Sequence, residues 1–473
     1  MRPPPAASLV SDDAMPISKS PGVTPTERML AELCDQTFLR LWTYPNPYKD
    51  DGHELCDLMV VFDNHVFVFF DREGRHFQNT ARDPQLNWER WKREVIDRQV
   101  KTASGAERYL RSGRKVFLDA ARQKAFPIAI PSADLRVHKI IVAHGAKEAC
   151  AGFSSDNVYG SLAVGYSNTP GGVPSFPFMV DLTKDEPVHM LDSHNLPIVL
   201  SELDTFTDLI AYLEAKTAAI GKYDFLSYCG EEDLLAHYFG NFDVPANRHF
   251  IGTREEGING IHIGEGEWRD FLERPEYKRK KKADKSSRVW DEIVQRTCQN
   301  ALDGTLLGNA SLLKGQGAIQ EMAREPRFSR RALSEEMVRA VQKFPETGGK
   351  IVRSVSLMPS FDKDLAYVFL QLKVEGRDYD EAYRAKRQAL LQIACGAAKN
   401  KFPHLKRIVG IGLDAPKFFQ ETSEDFIWMD CSEWSDARRV EFEQANRDLG
   451  FFNSPSLNTR MMTVKNFPDE PSA

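Results

Sequence analysis

Two short apolar runs separated only by Asp63-Asn64-His65 constrain this chain more than any other feature. Asp57 to Phe62 and Val66 to Phe70 are rich in Val and Phe, and the polar break between them is so short that it predicts a tight β-hairpin. The second run is apolar on both faces, so it should be a buried, central strand. Just ahead of the hairpin, the segment Asp50-Asp51-Gly52-His53-Glu54-Leu55-Cys56-Asp57 gathers acids, and just after it stand Asp71 and Arg72. The register decides how close these groups come. A turn centred on Asn64 sets Asp57 against Asp71, and directly opposed Cβ atoms lie roughly 4.5–5.5 Å apart. Carboxylates that close repel unless a cation sits between them, and Mg²⁺ or Mn²⁺ prefers such hard oxygen donors. A two-residue loop at Asp63-Asn64 instead sets Asp57 against Phe70, puts Arg72 on the face of Asp57 and turns Asp71 the other way. At the level of sequence both registers stay open.

Around this hairpin the chain reads as mixed α/β. Thr24 can cap a helix, Pro25 suits its first position and Glu27 completes a capping box. Leu30, Leu33, Phe38, Leu41 and Trp42 continue that helix until the prolines of Tyr44-Pro45-Asn46-Pro47 stop it. Asn87 to Ser112 predicts one long charged helix with Trp88, Trp91, Val95 and Ile96 on one side, and Lys115 to Lys124 a second. Strands are expected at 137–143, 162–166, 189–192 and 198–200, with loops through Gly160 to Pro177. Helices are expected over 205–220, capped by Asp204, then over 231–239 and 288–300. From about Lys350 the order becomes strand, strand, helix, strand, strand, helix, a second and smaller α/β unit. The expected organisation is a disordered leader over 1–23, a core over 24–145, a mixed extension over 146–345 and a C-terminal domain over 350–473. The break falls at Pro345 to Gly349, where both periodicities lapse.

Composition excludes some classes. The formal net charge of -6 argues against a dedicated nucleic-acid coat protein, which would be basic overall. A local field survives that argument: from Arg72 to Lys124 there are 14 Lys and Arg against 7 Asp and Glu, with Trp88, Trp91 and Tyr109 interleaved. Arg90, Lys92 and Arg93 would contact phosphates there, and the aromatics could stack on bases. A second basic run, Arg279 to Lys282, reads as a solvated loop or, through Lys280 and Lys281, as a phosphate-contacting patch. Seven scattered cysteines without a CxxC pair predict reduced thiols and a cytoplasmic location. No apolar run reaches the length of a membrane span. Gly257 to Gly264 lacks the phosphate-loop pattern, and no G-x-S-x-G elbow is present.

A helix carrying a Glu, an Asp at the start of a strand, a tight hairpin, and a buried strand ending in acidic and basic residues together resemble the PD-(D/E)XK nuclease superfamily. The resemblance covers residues 24 to about 145. It implies a restriction-endonuclease-like mixed sheet flanked by helices, and an active site in which an Asp and a second carboxylate bind divalent metal while a lysine serves the attacking water. By position Asp57 matches the Asp, Glu32 or Glu27 the helical Glu, and Phe70-Asp71-Arg72 the (D/E)-x-K segment. Phe70 stands where the second carboxylate is expected, so Asp71 or Glu54 must substitute. Arg72 stands where the lysine is expected, keeping its charge but not its ability to lose a proton.

The expectation that follows is a metal-dependent nuclease, with Asp57 and Asp71 holding Mg²⁺ or Mn²⁺, Glu54 or Glu32 assisting, and Arg72 stabilising charge on the phosphate. Fold-level analogy would place such an enzyme in bacterial defence against phage or mobile DNA. The C-terminal unit would recognise the nucleic acid or form a homodimer. The rival expectation is a catalytically inactive member of the fold that binds nucleic acid or protein. A weaker third is a small-molecule enzyme built on the C-terminal unit.

Overall fold

In the computed structural model the hairpin takes the shorter-loop register. Leu58 pairs with Phe69 and Phe62 with His65, leaving Asp63 and Asn64 as the loop. Asp63 adopts a left-handed φ of 53°, a conformation that Asp tolerates better than most residues. Direct opposition of Asp57 and Asp71 is thereby excluded. The structure describes residues 17–78, 83–153, 159–168, 176–302, 309–346, 351–375, 381–419, 423–453 and 465–468. The chain divides into two compact units, Met1–Tyr277 and Lys278–Ala473.

The first unit opens with α1, Pro25–Trp42. Thr24 caps it by accepting the Glu27 N–H at 3.1 Å, while the Glu27 carboxylate reaches back to the N–H of Val23 at 2.8 Å. Of the expected leader, residues 1–16 lie outside the described residues, and Ser20 hydrogen-bonds Asn46 Oδ1 at 2.8 Å. Next come β1 (Thr43–Pro45), β2 (Leu58–Phe62) and β3 (His65–Glu73). The expected single helix over 87–112 is three pieces: α2 (Pro84–Trp91), a π-helical segment Lys92–Asp97, and α3 (Arg98–Arg111). The expected helix 115–124 is absent. Val116–Phe117 is a short strand against Tyr48–Lys49, and turns follow it.

The chain then lays down β4 (Arg136–His144), β5 (Ala163–Ser167), β6 (Met179–Thr183) and β7 (His189–Asp192). Of the loops expected from Gly160 to Pro177, 169–175 lie outside the described residues. The strand expected at 198–200 is α4, Asn195–Glu202. Its Val and Ile are overruled because the segment packs as one buried helical face rather than joining a sheet edge. α5 (Phe206–Lys222) is capped by Thr205, which accepts the Asp208 N–H, and not by Asp204. β8 (Phe225–Tyr228), α6 (Glu231–Gly240) and β9 (Gly260–Ile263) complete the main elements.

Five strands form a mixed sheet in the order β1-β2-β3-β4-β7. The first three run antiparallel, and β4 and β7 join β3 in parallel. A second sheet has the order β9-β8-β5-β6. The first sheet is covered on both faces. Phe38 of α1 packs on Phe67 at 5.2 Å, and Phe206 of α5 stacks on Phe62 at 3.8 Å. On the other face Trp91 and Val95 press against Gly74, at the end of β3. Phe67 to Phe70 are all at most 2% exposed, as expected for a central strand.

The second unit is built on α7 (Arg288–Leu302), α8 (Asn309–Arg324), α9 (Arg327–Gln342), β10 (Ile351–Pro359), β11 (Leu365–Val374), α10 (Glu381–Lys401), β12 (Arg407–Asp414), β13 (Glu424–Asp430) and α11 (Asp436–Asn446). Its sheet runs β10-β11-β12-β13, with a parallel pair at its centre. Helices 288–342, grouped by sequence with the middle of the chain, belong to this unit. The break expected at 345–349 lies partly outside the described residues. Leu391, Ala394, Cys395 and Ala398 of α10 pack on Val368, Leu370 and Ile408 of the sheet.

Candidate functional site

The parallel run β3-β4-β7 ends at one edge of the first sheet, and the polar side chains cluster there. This is where open α/β sheets place their ligands, beyond the carboxyl ends of parallel strands. Asp57, one residue before β2, meets the end of β3 because the two strands are paired. The Asp71 N–H donates to Asp57 Oδ2 at 2.6 Å. The register puts Asp71 on the α1 side of the sheet with Phe67 and Phe69. There it is 6% exposed and both its oxygens are engaged: Thr26 donates its hydroxyl to Oδ1, and His144 Nε2 lies 2.9 Å from Oδ2. His144 ends β4, and its Nδ1 meets the Ser193 hydroxyl at 2.9 Å.

Ser193, His144 and Asp71 thus stand in the order of a hydrolytic relay. The two backbone N–H groups that follow Ser193 are engaged within the turn. Asp192 Oδ1 accepts the N–H of His194 at 2.8 Å and of Asn195 at 3.0 Å. The relay therefore fixes Asp71 in place.

A second group of acids forms around Asn46, a buried residue held at a left-handed φ of 49°. Backbone strain of this kind persists where surrounding structure over-determines it. Its amide nitrogen donates to Glu54 at 2.7 Å and to Glu27 at 3.1 Å, and its own backbone N–H donates to the Asp57 carbonyl at 2.9 Å. Glu27, Glu54 and Asp57 therefore share one corner. Burial, with the charges of Glu54, Glu27 and Asp71, pushes the Asp57 carboxyl up to about 7. The Glu54 carboxyl is also raised, by desolvation and then by Glu27.

Glu32 does not join this group. It lies on the exposed side of α1, and the helical acid near Asp57 is Glu27, one turn earlier. Asp50 and Asp51 are drawn away to Arg114 and Lys49. Among the described residues no three His, Cys, Asp or Glu side chains form a group able to hold a metal ion. The donor chemistry still suits Mg²⁺, which commonly takes one or two protein carboxylates and completes its shell with water and substrate phosphate. Asp57 and Glu54 could supply those two, whereas Asp71, expected as a ligand, is held by Thr26 and His144.

The basic residues divide. Arg72 is exposed and lines a polar cavity of about 500 Å³ with Arg75 and Arg98. Arg93 is exposed and Arg90 half-buried, while Lys92 pairs with Asp97 at 2.8 Å. Lys280, expected at a phosphate-contacting patch, is 5% exposed and pairs with Asp284 at 2.6 Å. Lys281 is half-buried beside it, because the run is not a loop but lies within a helix, Pro275–Asp284. Trp88 and Trp91 are fully buried and Tyr109 is 6% exposed, so none of them offers a face for a base.

Nothing in the sequence gives Thr26, Asn46 or Ser193 a role, and His144, which reads there as an ordinary strand or loop histidine, is instead the partner of Asp71. The only signal for His144 is that a strand parallel to β3 must end beside Asp71. The chain has no match among protein-family models, curated proteins or solved structures. No helix among the described residues is long and apolar enough to cross a membrane, and no disulfide joins cysteines among them.

Proposed function

We propose that this chain is a metal-dependent phosphodiesterase acting on nucleic acid, of the PD-(D/E)XK kind, with its centre at the corner of Glu27, Glu54 and Asp57. One observation carries the reading: Asp57 is pushed up to about 7 by burial and by three neighbouring carboxylates, with no cation pairing it among the described residues. Packing negative charge against a desolvated acid is costly, and a divalent cation would relieve it. Asp57 and Glu54 would hold Mg²⁺ or Mn²⁺, with Glu27 behind them. The cation supplies Lewis acidity toward a phosphodiester and a water nucleophile at neutral pH. Asp71 acts as a positioning residue, since its backbone N–H fixes the Asp57 carboxylate. Arg72, the next residue, is exposed and available to the phosphate charge.

A non-catalytic, nucleic-acid-binding role is the second reading. It is favoured by Phe70, 2% exposed at the position of the expected second carboxylate, and by the engagement of both Asp71 oxygens. The test is cleavage of plasmid DNA, single-stranded DNA and RNA with Mg²⁺, Mn²⁺ or EDTA, for the wild type and Asp57→Ala. Metal-dependent cleavage that falls at least about a hundredfold in Asp57→Ala is expected. Wild-type inertness on all three substrates, together with a melting temperature indifferent to Mn²⁺, would overturn the catalytic reading in favour of the second.

A further inference from the structure

On the other side of β3 from Asp71, Arg72, Arg75 and Arg98 line one polar cavity of about 500 Å³. Three features set it apart from an ordinary charged surface. None of the three guanidinium groups makes a hydrogen bond or ion pair with a described residue, whereas those of Arg111, Arg114 and Arg136 in the same unit do. His76 lines the same cavity, with Nε2 3.2 Å from Glu94 and Nδ1 buried without a partner among the described residues. The helical wall that supplies Glu94 and ends at Arg98 is the π segment Lys92–Asp97. A π turn costs helix stability and recurs at functional sites. Like charges gathered around a concavity with their donors unused form an anion site.

We infer that this cavity binds the phosphate of a phosphomonoester. The donors choose between anions. Three arginines, set against Glu73 and Glu94, leave the lining net positive, with all three guanidinium groups turned to one concavity. A phosphomonoester carries about -1.5 to -2 at neutral pH and offers three terminal oxygens. A phosphodiester offers only two non-bridging oxygens, one fewer than there are guanidinium groups. Guanidinium forks match phosphate oxygens in pairs. The volume suits a group of nucleotide size. Such a monoester could be the end of a polynucleotide or a free nucleotide, and the chemistry of recognition is the same. Arg72 apart, this site uses none of the residues of the carboxylate corner, and its test needs no metal.

Titration calorimetry of the full chain in EDTA, with AMP against adenosine and with one single-stranded oligonucleotide carrying a 5′-phosphate or a 5′-hydroxyl, separates the sources. The phosphorylated member of at least one pair is expected to bind at least about tenfold more tightly. Arg75→Ala and Arg98→Ala should each weaken that binding about tenfold, and Arg98→Lys by less. Both arginines are without partners among the described residues, so the melting temperature should stay put. Binding in the AMP pair alone assigns a free nucleotide, and binding in the oligonucleotide pair assigns a chain end. Equal binding of phosphorylated and unphosphorylated members in both pairs, or full affinity in both alanine variants, would overturn the inference.

Discussion

His138 shows how far a single buried group can move stability. It sits in β4 with Nε2 2.9 Å from Nδ1 of His65, and its ring stacks on Phe67 at 4.7 Å. Desolvation, then the charges of His65 and Arg136, lower it to about 3. Between pH 6.5 and 3 the unfolded chain takes up a proton that the folded chain refuses. Stability therefore rises with pH across that window and is lost as pH falls through it. Each pH unit is worth at most about 1.4 kcal/mol for one such group. His138→Phe keeps the stack and gives up one hydrogen bond, costing about 1 kcal/mol at pH 7. Its urea-unfolding free energy should fall less steeply than the wild type's from pH 6.5 downwards. Parallel slopes would show that His138 is not a proton-refusing group. Composition alone gives no hint of this, since a histidine within a strand pattern is an ordinary residue until its neighbours on the adjacent strand are known.

At the scale of elements, helices and hairpins were largely readable, and their junctions were not. The cap at Thr24, the presence of a hairpin around Asp63-Asn64-His65 and most strands of the second unit follow from local chemistry, whereas the hairpin's register does not. The interruption of the helix 84–111 by a π segment does not, because Trp88, Trp91, Val95 and Ile96 keep an apolar face through it. Gly74 marks the reason such a junction works. A methyl added there would stand 2.4 Å from Trp91 Cδ1 and 2.7 Å from Val95 Cγ2. Trp91 cannot yield easily, as its Nε1 donates to the His144 carbonyl at 3.1 Å. Gly74→Ala should cost about 1–3 kcal/mol by urea denaturation. It should also weaken AMP or phosphorylated-oligonucleotide binding, since the residue lines the arginine cavity. An unchanged midpoint would mean that Trp91 has room to shift.

Across the whole molecule, each of the two units has its own sheets with helices packed on them, and each holds a buried polar knot. In the second unit Arg387 is fully buried between Asp414 at 2.8 Å and Asp425 at 2.6 Å. Tyr383 and Ser423 complete the set around Asp414. Every member is paired, so the knot is tolerated. Arg387→Ala would leave Asp414 buried without its cation, although Asp425 keeps Arg384 at 2.8 Å, and should cost about 3–5 kcal/mol, read from the urea midpoint. A loss under about 1 kcal/mol would show that water reaches the site. In the first unit the comparable knot is Lys216, fully buried against Glu231 at 2.7 Å. The sequence by itself determined the hairpin, the acids at its mouth, the mixed α/β class and the excess of positive charge after Arg72, because each depends on neighbours within a few residues. Only the tertiary structure decided that Glu27 rather than Glu32 faces Asp57, that His144 and Thr26 hold Asp71, that Lys280 is buried, and that three arginines share a cavity. Those outcomes depend on the parallel pairing of β3 with β4 and on the packing of α1 and α3 against the sheet, which join residues up to about seventy positions apart and leave no periodic trace along the chain.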